Sequence, residues 1–110
     1  IVVLREKTGK PILAIVPGNE EVDLKLLAAV IGEKKLRTAT QTEAEKFTGL
    51  QTGGISPLAL INKGFQFVLS DKAQQYSEIH ISGGQRGLNI KLPVDELISL
   101  VRARVANISK

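Results

Sequence analysis

Two glycine-rich stretches limit what this chain can fold into. Residues 49–57 hold an adjacent glycine pair and a proline, and residues 82–87 hold a second glycine pair followed by a further glycine. Such residues end both helices and strands. The elements between them must therefore be short, and no apolar run approaches the roughly 20 residues of a membrane-spanning helix. With 110 residues, the chain has about the length of one domain.

Short strand patterns and short helix patterns alternate along the chain. Apolar residues 1–6 and 11–16 flank a turn that holds Gly9, which is typical of a β-hairpin. Further strand patterns cover residues 34–39, 58–61, 65–69, 78–81, 88–92 and 105–108. Helix patterns begin near Asp23, Thr40 or Thr42, Ser70 and Pro93, and the first two are expected to end at Gly32 and Gly49. This order favours a single α/β domain with a mixed sheet.

Charge and composition narrow the function classes. Lysine and arginine number 15 against 11 acidic residues, a net charge of +4. That balance permits an RNA or phosphate partner but equally fits an ordinary solvated surface. One tyrosine and three phenylalanines are too few for an RNA-binding stacking platform, so RNA would bind through charge and one pocket. The absence of cysteine excludes disulfides, thiolate metal sites and a cysteine nucleophile.

Both glycine-rich stretches are of a kind that can surround a ligand. Glycine lets backbone amides and carbonyls approach a ligand closely, and consecutive amides can hold an anion. Neither stretch matches a phosphate-binding fingerprint, so a nucleoside triphosphatase or dinucleotide enzyme is not indicated. Arg86 lies among glycines and could contact a phosphate or carboxylate in a bidentate manner. The alternative stays open that the glycines only make tight turns and that Arg86 faces solvent.

Serine and histidine do not form a recognisable catalytic set in this sequence. Ser56 and Ser82 lie in the glycine-rich stretches, but no base adjoins either serine. The single histidine, His80, lies in a strand pattern between two isoleucines, and we expect it to be a surface or packing residue that faces away from them. A Ser-His-Asp triad and a zinc site are therefore not indicated.

The two stretches carry patterns that are specific when taken together. They read Thr48-Gly49-x-x-x-Gly53-Gly54-Ile55-Ser56-Pro57-Leu58 and Ile81-Ser82-Gly83-Gly84-x-Arg86-Gly87-Leu88-x-Ile90. This combination resembles the YbaK/prolyl-tRNA synthetase-associated domain family, and the resemblance covers residues 1–110. Residues 95–108 are similar to the free-standing YbaK-like members rather than to the insertion domain of bacterial prolyl-tRNA synthetases. The resemblance implies a single α/β domain with a mixed, barrel-like β-sheet flanked by short helices.

The resemblance also implies a function. Members of this family are trans-editing hydrolases that cleave the ester between a wrong amino acid and its tRNA, typically tRNA(Pro) charged with Cys or Ala. It therefore implies a cytoplasmic aminoacyl-tRNA deacylase whose partners are mischarged tRNA and prolyl-tRNA synthetase. No cofactor, metal or membrane is expected. Which amino acid is removed stays open.

The site residues follow from the same resemblance. It assigns catalytic roles to Gly53, Gly54, Ser82 and Arg86. It assigns substrate-binding roles to Ile55, Ser56, Pro57, Gly83, Gly84, Gly87 and Asn89. The first motif is expected to shape the aminoacyl pocket and the second to lie near the terminal adenosine and the ester. An activated ester needs little acid–base assistance, so donors aimed at the developing oxyanion and a fixed ester geometry would suffice. In Cys-specific members the substrate's own thiol attacks the ester, which removes the need for a protein nucleophile.

The sequence departs from the family at several places. Asn89 stands where Cys-specific members carry Asp, and residues 60–62 differ from the Gln-Lys-Lys-like run that often follows the first motif. The family's key lysine would precede Ile1. The sequence also lacks methionine and begins inside a strand pattern. We therefore expect it to be the C-terminal part of a longer protein, without its N-terminal segment, and weakly active or inactive by itself.

Two other functions are compatible with these residues. The first is a non-catalytic accessory module of the same fold that binds tRNA or a synthetase. The second is an unrelated small-ligand domain in which both glycine-rich stretches are structural. A pocket between residues 53–57 and 82–87 would argue against the second.

Overall fold

A computed structural model describes residues 1–18, 20–50, 54–84 and 87–110. The strands are β1 (Val2–Arg5), β2 (Pro11–Ile15), β3 (Leu36–Thr38), β4 (Gln66–Ser70), β5 (Glu78–Ser82), β6 (Asn89–Pro93) and β7 (Arg104–Ala106). The α-helices are α1 (Leu24–Ile31), α2 (Gln41–Thr48) and α3 (Val94–Val101), and two 3₁₀ helices cover Leu58–Leu60 and Asp71–Gln75. Within these described ranges, no helix is both long and apolar enough to cross a bilayer.

Five strands form one mixed sheet in the order β3-β1-β2-β4-β7. β1 pairs antiparallel with β2 and β3, whereas β4 pairs parallel with β2 and β7. β5 and β6 form a separate antiparallel pair. The predicted α/β fold with a mixed sheet is confirmed. The expected barrel-like closure is wrong, because β3 and β7 each pair on one side only in the part of the chain described here, and the sheet therefore keeps two edges.

Local capping signals explain where the first two α-helices begin and end. The Asp23 carboxylate accepts hydrogen bonds from two amides of the first turn of α1, and Gly32 ends the helix at a φ of 75°. Thr40, not the alternative threonine two residues later, caps α2 in a reciprocal capping box with Glu43. Gly49 ends α2 at a φ of 72°. Positive φ favours glycine at both C-terminal positions.

The predicted strand over residues 58–61 is wrong. Pro57 has helical dihedral angles, and the amides of Ala59 and Leu60 bond back to the carbonyls of Ser56 and Pro57. A tight 3₁₀ turn therefore replaces the strand, although its apolar residues still reach the core. The other predicted strands are confirmed, with ends that differ by a few residues. The last of them covers Arg104–Ala106 rather than residues 105–108.

Alternating side chains place clusters of buried apolar residues on both faces of the sheet. On the face covered by α1, here called the α1 face, the cluster contains Val3, Ile12, Ala14, Leu27, Val68 and Ile108. On the opposite face, here called the hairpin face, the cluster includes Val2, Leu4, Leu13, Phe67, Ala44 of α2, Ile81 and Leu92 of the β5–β6 hairpin, and Leu97 of α3. Several short elements thus cover the hairpin face, whereas the single helix α1 covers most of the α1 face.

Candidate functional site

A cleft of about 630 Å³ opens on the hairpin face. Its volume lies within the range of about 300–1,000 Å³ that is usual for small-molecule sites. Its walls come from the sheet, from the start of α2, from the first glycine-rich stretch and from β5. They include Val2, Leu13, Ile15, Gln41, Ala44, Ile55, Pro57, His80, Ile81 and Ser82.

The first glycine-rich stretch shapes the apolar wall of this cleft. Ile55 is half-buried against the hairpin-face core, and it lines the cleft together with Pro57. Gly54 is buried, and Ser56 is only 3% exposed. The Ser56 carbonyl accepts the Ala59 amide at 3.2 Å, which fixes the turn behind the wall. The described residues of this stretch therefore give the cleft an apolar surface and no titratable group.

The second glycine-rich stretch begins where β5 reaches the cleft. Ser82 lines the cleft, and its Oγ accepts a hydrogen bond from the Gly84 amide at 3.3 Å. The Gly83 amide donates to the Leu88 carbonyl at 2.8 Å. Both amides are thus used inside the turn and are not free to hold an oxyanion in this conformation. The Ser82 hydroxyl hydrogen remains available, because Oγ acts as the acceptor in its bond to Gly84.

Close packing explains the glycine at position 83. A Cβ there would lie 2.7 Å from Leu88 Cγ, which is too close unless Leu88 moves, and 3.3 Å from Ile90 Cγ1, which is a tight contact. Gly84 and Gly87 have φ angles of 95° and 80°, which disfavour residues with a side chain. These three glycines shape the β5–β6 turn rather than line the cleft.

The structure brings together only some of the residues that the sequence predicts for the site. Ile55, Pro57 and Ser82 meet at the cleft. Asn89 is exposed and lies opposite Ser82 in the β5–β6 register, outside the cleft lining. Gly53 and Arg86 lie outside the described residues, so their predicted roles stay predictions.

Sequence reasoning missed four polar side chains that line the cleft. They are Glu20, Thr38, Gln41 and His80. His80 is exposed, as expected for a strand residue that faces away from the buried Ile81, and it also lines the cleft. Its position on the strand that enters the second glycine-rich stretch was the available signal. Glu20 gives no such signal, because it comes to the cleft through tertiary packing.

One ion pair holds the carboxylate at the cleft, and a second lies at the start of the neighbouring helix α2. Glu20 Oε1 lies 3.1 Å from Lys72 Nζ. At the start of α2, Arg37 makes two hydrogen bonds of 2.7 Å to Glu43. These bonds, together with the Thr40 amide, lower the pKa of Glu43 from its ordinary 4.5 to about 2. The Arg37–Glu43 pair therefore stabilises the beginning of the helix that supplies Gln41 and Ala44 to the cleft. Among the described residues, no three His, Asp or Glu side chains gather as a metal site would require.

Comparison with protein families gives one match across most of the chain. The family model described as an aminoacyl-tRNA editing domain matches residues 1–100. A relative from Enterococcus faecalis, provisionally named the Cys-tRNA(Pro)/Cys-tRNA(Cys) deacylase EbsC, is 40% identical over 109 residues. The match covers 99% of this chain and 65% of EbsC, so the chain spans about two thirds of the length of that relative.

Solved structures share the same fold. A crystal structure provisionally described as a trans-editing enzyme for prolyl-tRNA synthetase is 30% identical, with a TM-score of 0.83. The similarity covers 100% of this chain and 68% of that one. The hypothetical protein APE2540 has a TM-score of 0.91 at 23% identity, with coverage of 100% and 71%, and its likeness concerns the fold alone.

Proposed function

This chain belongs to the aminoacyl-tRNA editing domain family, and from that premise we propose that the protein hydrolyses the ester bond of mischarged aminoacyl-tRNA. The proposed substrates are Cys-tRNA(Pro) and Ala-tRNA(Pro). The relative EbsC bears the name of a Cys-tRNA deacylase, which supports the Cys substrate. The structural relative named for prolyl-tRNA synthetase supports an association with proline decoding.

One observation carries the proposal: residues from both glycine-rich stretches line the same cleft. Ile55 and Pro57 form an apolar wall, and Ser82 supplies a hydroxyl close to it. An apolar wall beside a few polar groups suits a small side chain attached to a reactive ester. A domain in which both stretches were merely structural turns would have no reason to bring them to one cleft.

The proposed reaction needs the ester to be held and its developing charge to be stabilised. Water, or the thiol of a cysteinyl substrate, attacks the ester carbonyl carbon. The bond between that carbon and the ribose oxygen then breaks, and the ribose oxygen takes up the proton that the attacking water or thiol releases. The Ser82 hydroxyl donates to the carbonyl oxygen, because its Oγ already accepts from Gly84 and the turn fixes its orientation. Such a donor acts without becoming a nucleophile, which fits a hydroxyl whose hydrogen bond is to the Gly84 amide rather than to a base.

The substrate's ammonium group also needs a partner. Glu20 is the one carboxylate among the described residues that line the cleft. One of its oxygens is held by Lys72 at 3.1 Å, which fixes the side chain and leaves the second oxygen for the substrate. The apolar wall of Ile55 and Pro57 then limits the size of the amino-acid side chain that fits. One methylene changes the binding free energy of an amino acid by only about 1–3 kcal/mol, so a synthetase cannot reject every similar amino acid by binding alone. A separate site that hydrolyses the wrong ester removes such errors.

Deacylation assays test the proposal directly. The protein is incubated with Cys-tRNA(Pro), Ala-tRNA(Pro) and correctly charged Pro-tRNA(Pro), and the loss of each ester is followed against the spontaneous rate. We expect rapid loss of at least one mischarged species while Pro-tRNA(Pro) is spared. Spontaneous rates for all three substrates would contradict the proposal, and tight tRNA binding without turnover would favour the accessory-module alternative.

A further inference from the structure

A second cavity of about 330 Å³ continues from the cleft. The two share the end of β2 and the following residues 15–18, as well as His80 and Ile81 of β5. Beyond this junction the second cavity is walled by Leu69, Ala73, Tyr76 and Ile79. The site is therefore bipartite, with His80 where its two arms meet.

The two arms differ in chemistry. The first arm contains Ser82, Glu20 and the wall from the first glycine-rich stretch. Four residues line only the second arm, and three of them, Leu69, Ala73 and Ile79, are apolar. The fourth, Tyr76, is 54% exposed and supplies an aromatic ring. Among the described residues that line the second arm, none is Lys, Arg, Asp or Glu. This arm thus suits a flat, uncharged group rather than a phosphate.

We propose that the second arm binds the adenine of the terminal adenosine of tRNA, with the Tyr76 ring stacked on the base. This inference rests on the proposed function, since an aminoacyl-tRNA end is itself bipartite. The amino acid occupies the first arm, the adenine occupies the second, and the ribose that joins them lies beside His80. Aromatic side chains bind exposed bases in this way in many single-strand complexes.

Hydrogen bonds fix the backbone at Tyr76 before any ligand arrives. Tyr76 follows the 3₁₀ helix Asp71–Gln75, and its amide donates to the Ala73 carbonyl at 3.2 Å. Ser70 caps this helix through the Lys72 amide, and the Ser70 hydroxyl is itself buried at 3.0 Å from Ser109 Oγ. A stacking residue on such an anchored turn loses little freedom on binding, which favours affinity.

Tyr76 provides its own spectroscopic signal. It is the single tyrosine of a sequence without tryptophan, so the intrinsic fluorescence of the protein reports on this ring. Adenosine is the probe, and it is titrated against the wild-type protein, with uridine as the comparison. We expect saturable quenching by adenosine and weaker binding of uridine, because a purine offers more stacking area. Absent quenching, or equal affinity for the two nucleosides, would overturn the assignment to adenine.

Variants separate stacking from general structural effects. Calorimetric titration of adenosine is repeated on Tyr76→Ala and Tyr76→Phe, with Phe47→Ala as a matched control at an exposed aromatic residue outside both cavities. We expect about tenfold or greater weakening for Tyr76→Ala and near wild-type affinity for the other two. Unchanged affinity of Tyr76→Ala would overturn the proposal.

Deacylation kinetics distinguish a failure of this inference from a failure of the proposed function. If the wild-type protein deacylates tRNA, Tyr76→Ala should raise KM by about the same factor as the dissociation constant of adenosine while kcat changes little. Active wild type with an unchanged KM in the variant would overturn the adenine site alone. Adenosine binding that depends on Tyr76 in a protein without deacylase activity would support this site and contradict the proposed hydrolysis.

Discussion

The α1 face and the hairpin face of the same sheet are covered in different ways. On the α1 face a single helix lies over the strands, and all six clustered residues are 0% exposed. On the hairpin face α2, α3, the β5–β6 hairpin and a 3₁₀ helix share the covering. The cleft and the second cavity lie between elements on this face. We therefore expect the α1 face to govern stability and the hairpin face to govern function.

The largest expected effect is on stability and comes from the α1 face. Leu27→Ala removes a fully buried side chain from the closed core and should lower the free energy of unfolding by about 2–5 kcal/mol. Urea denaturation measures the change, and the activity per folded molecule should stay near wild type. Leu100→Ala, on an exposed side chain of α3, is the matched control. A similar loss in both variants would show that the closed packing around Leu27 does not stabilise the fold.

The largest effect on activity should come from Ser82. Ser82→Ala removes the proposed oxyanion donor and should lower kcat by about 100-fold. The unfolding free energy should fall by only about 1 kcal/mol, because Ser82 lines the cleft and its Oγ gives up one hydrogen bond, from the Gly84 amide. Ser99→Ala, at an exposed position of α3, should leave deacylation unchanged. A Ser82→Ala variant with wild-type kcat would exclude the role proposed for this hydroxyl.

Gly83→Ala should lower stability and activity by an intermediate amount, and a second substitution at Leu88 should restore most of both. The new Cβ would collide with the Leu88 side chain, which is 48% exposed and can move. We expect a destabilisation of about 1 kcal/mol, at the low end for overpacking, together with reduced activity because the turn carries Ser82. The double variant Gly83→Ala, Leu88→Ala should recover most of both losses. If the double variant is as impaired as the single one, the steric explanation fails.

The smallest effect should be a pH dependence located at the start of α2. The folded protein lowers the pKa of Glu43 to about 2, so its charged form stabilises the fold at pH values above the ordinary 4.5. This contribution is lost as the pH falls from 4.5 towards 2. Unfolding free energies measured over that range should therefore fall more steeply in wild type than in Glu43→Gln. Parallel curves would show that the Arg37–Glu43 pair does not stabilise this helix.

Local signals predict the helices and most of the strands of this fold. Asp23 and Thr40 are N-caps, and alternating residues mark the strands, because these features depend on neighbours in the sequence. Pro57 is the exception, since its helical conformation turns an apolar run into a 3₁₀ helix. The open sheet was not predicted, because strand pairing between distant segments leaves no local mark. β2 and β4, for example, pair in parallel although Ile15 and its register partner Leu69 lie 54 positions apart in the sequence.

The sequence predicts only those residues of the candidate site that belong to a recognisable motif. Ile55, Pro57 and Ser82 come from the two glycine-rich stretches, and they do line the cleft. Tyr76 and His80 form part of the site only because β5 packs beside the end of β2. Neither belongs to a recognisable motif, and a single aromatic residue after a short helix is not a signal on its own.

Binding of a substrate analogue tests the central claim that the site lies on the hairpin face, where the two glycine-rich stretches meet. The probe is an alanyl-adenosine analogue in which an amide replaces the ester, and the readout is the amide spectrum of isotope-labelled protein. The account predicts saturable shifts at Ile55, Ser82 and Ile79, with the signals of Leu27 and its neighbours in α1 unchanged. Shifts concentrated on the α1 face would contradict the account. So would binding that leaves the amide signals of both glycine-rich stretches unchanged.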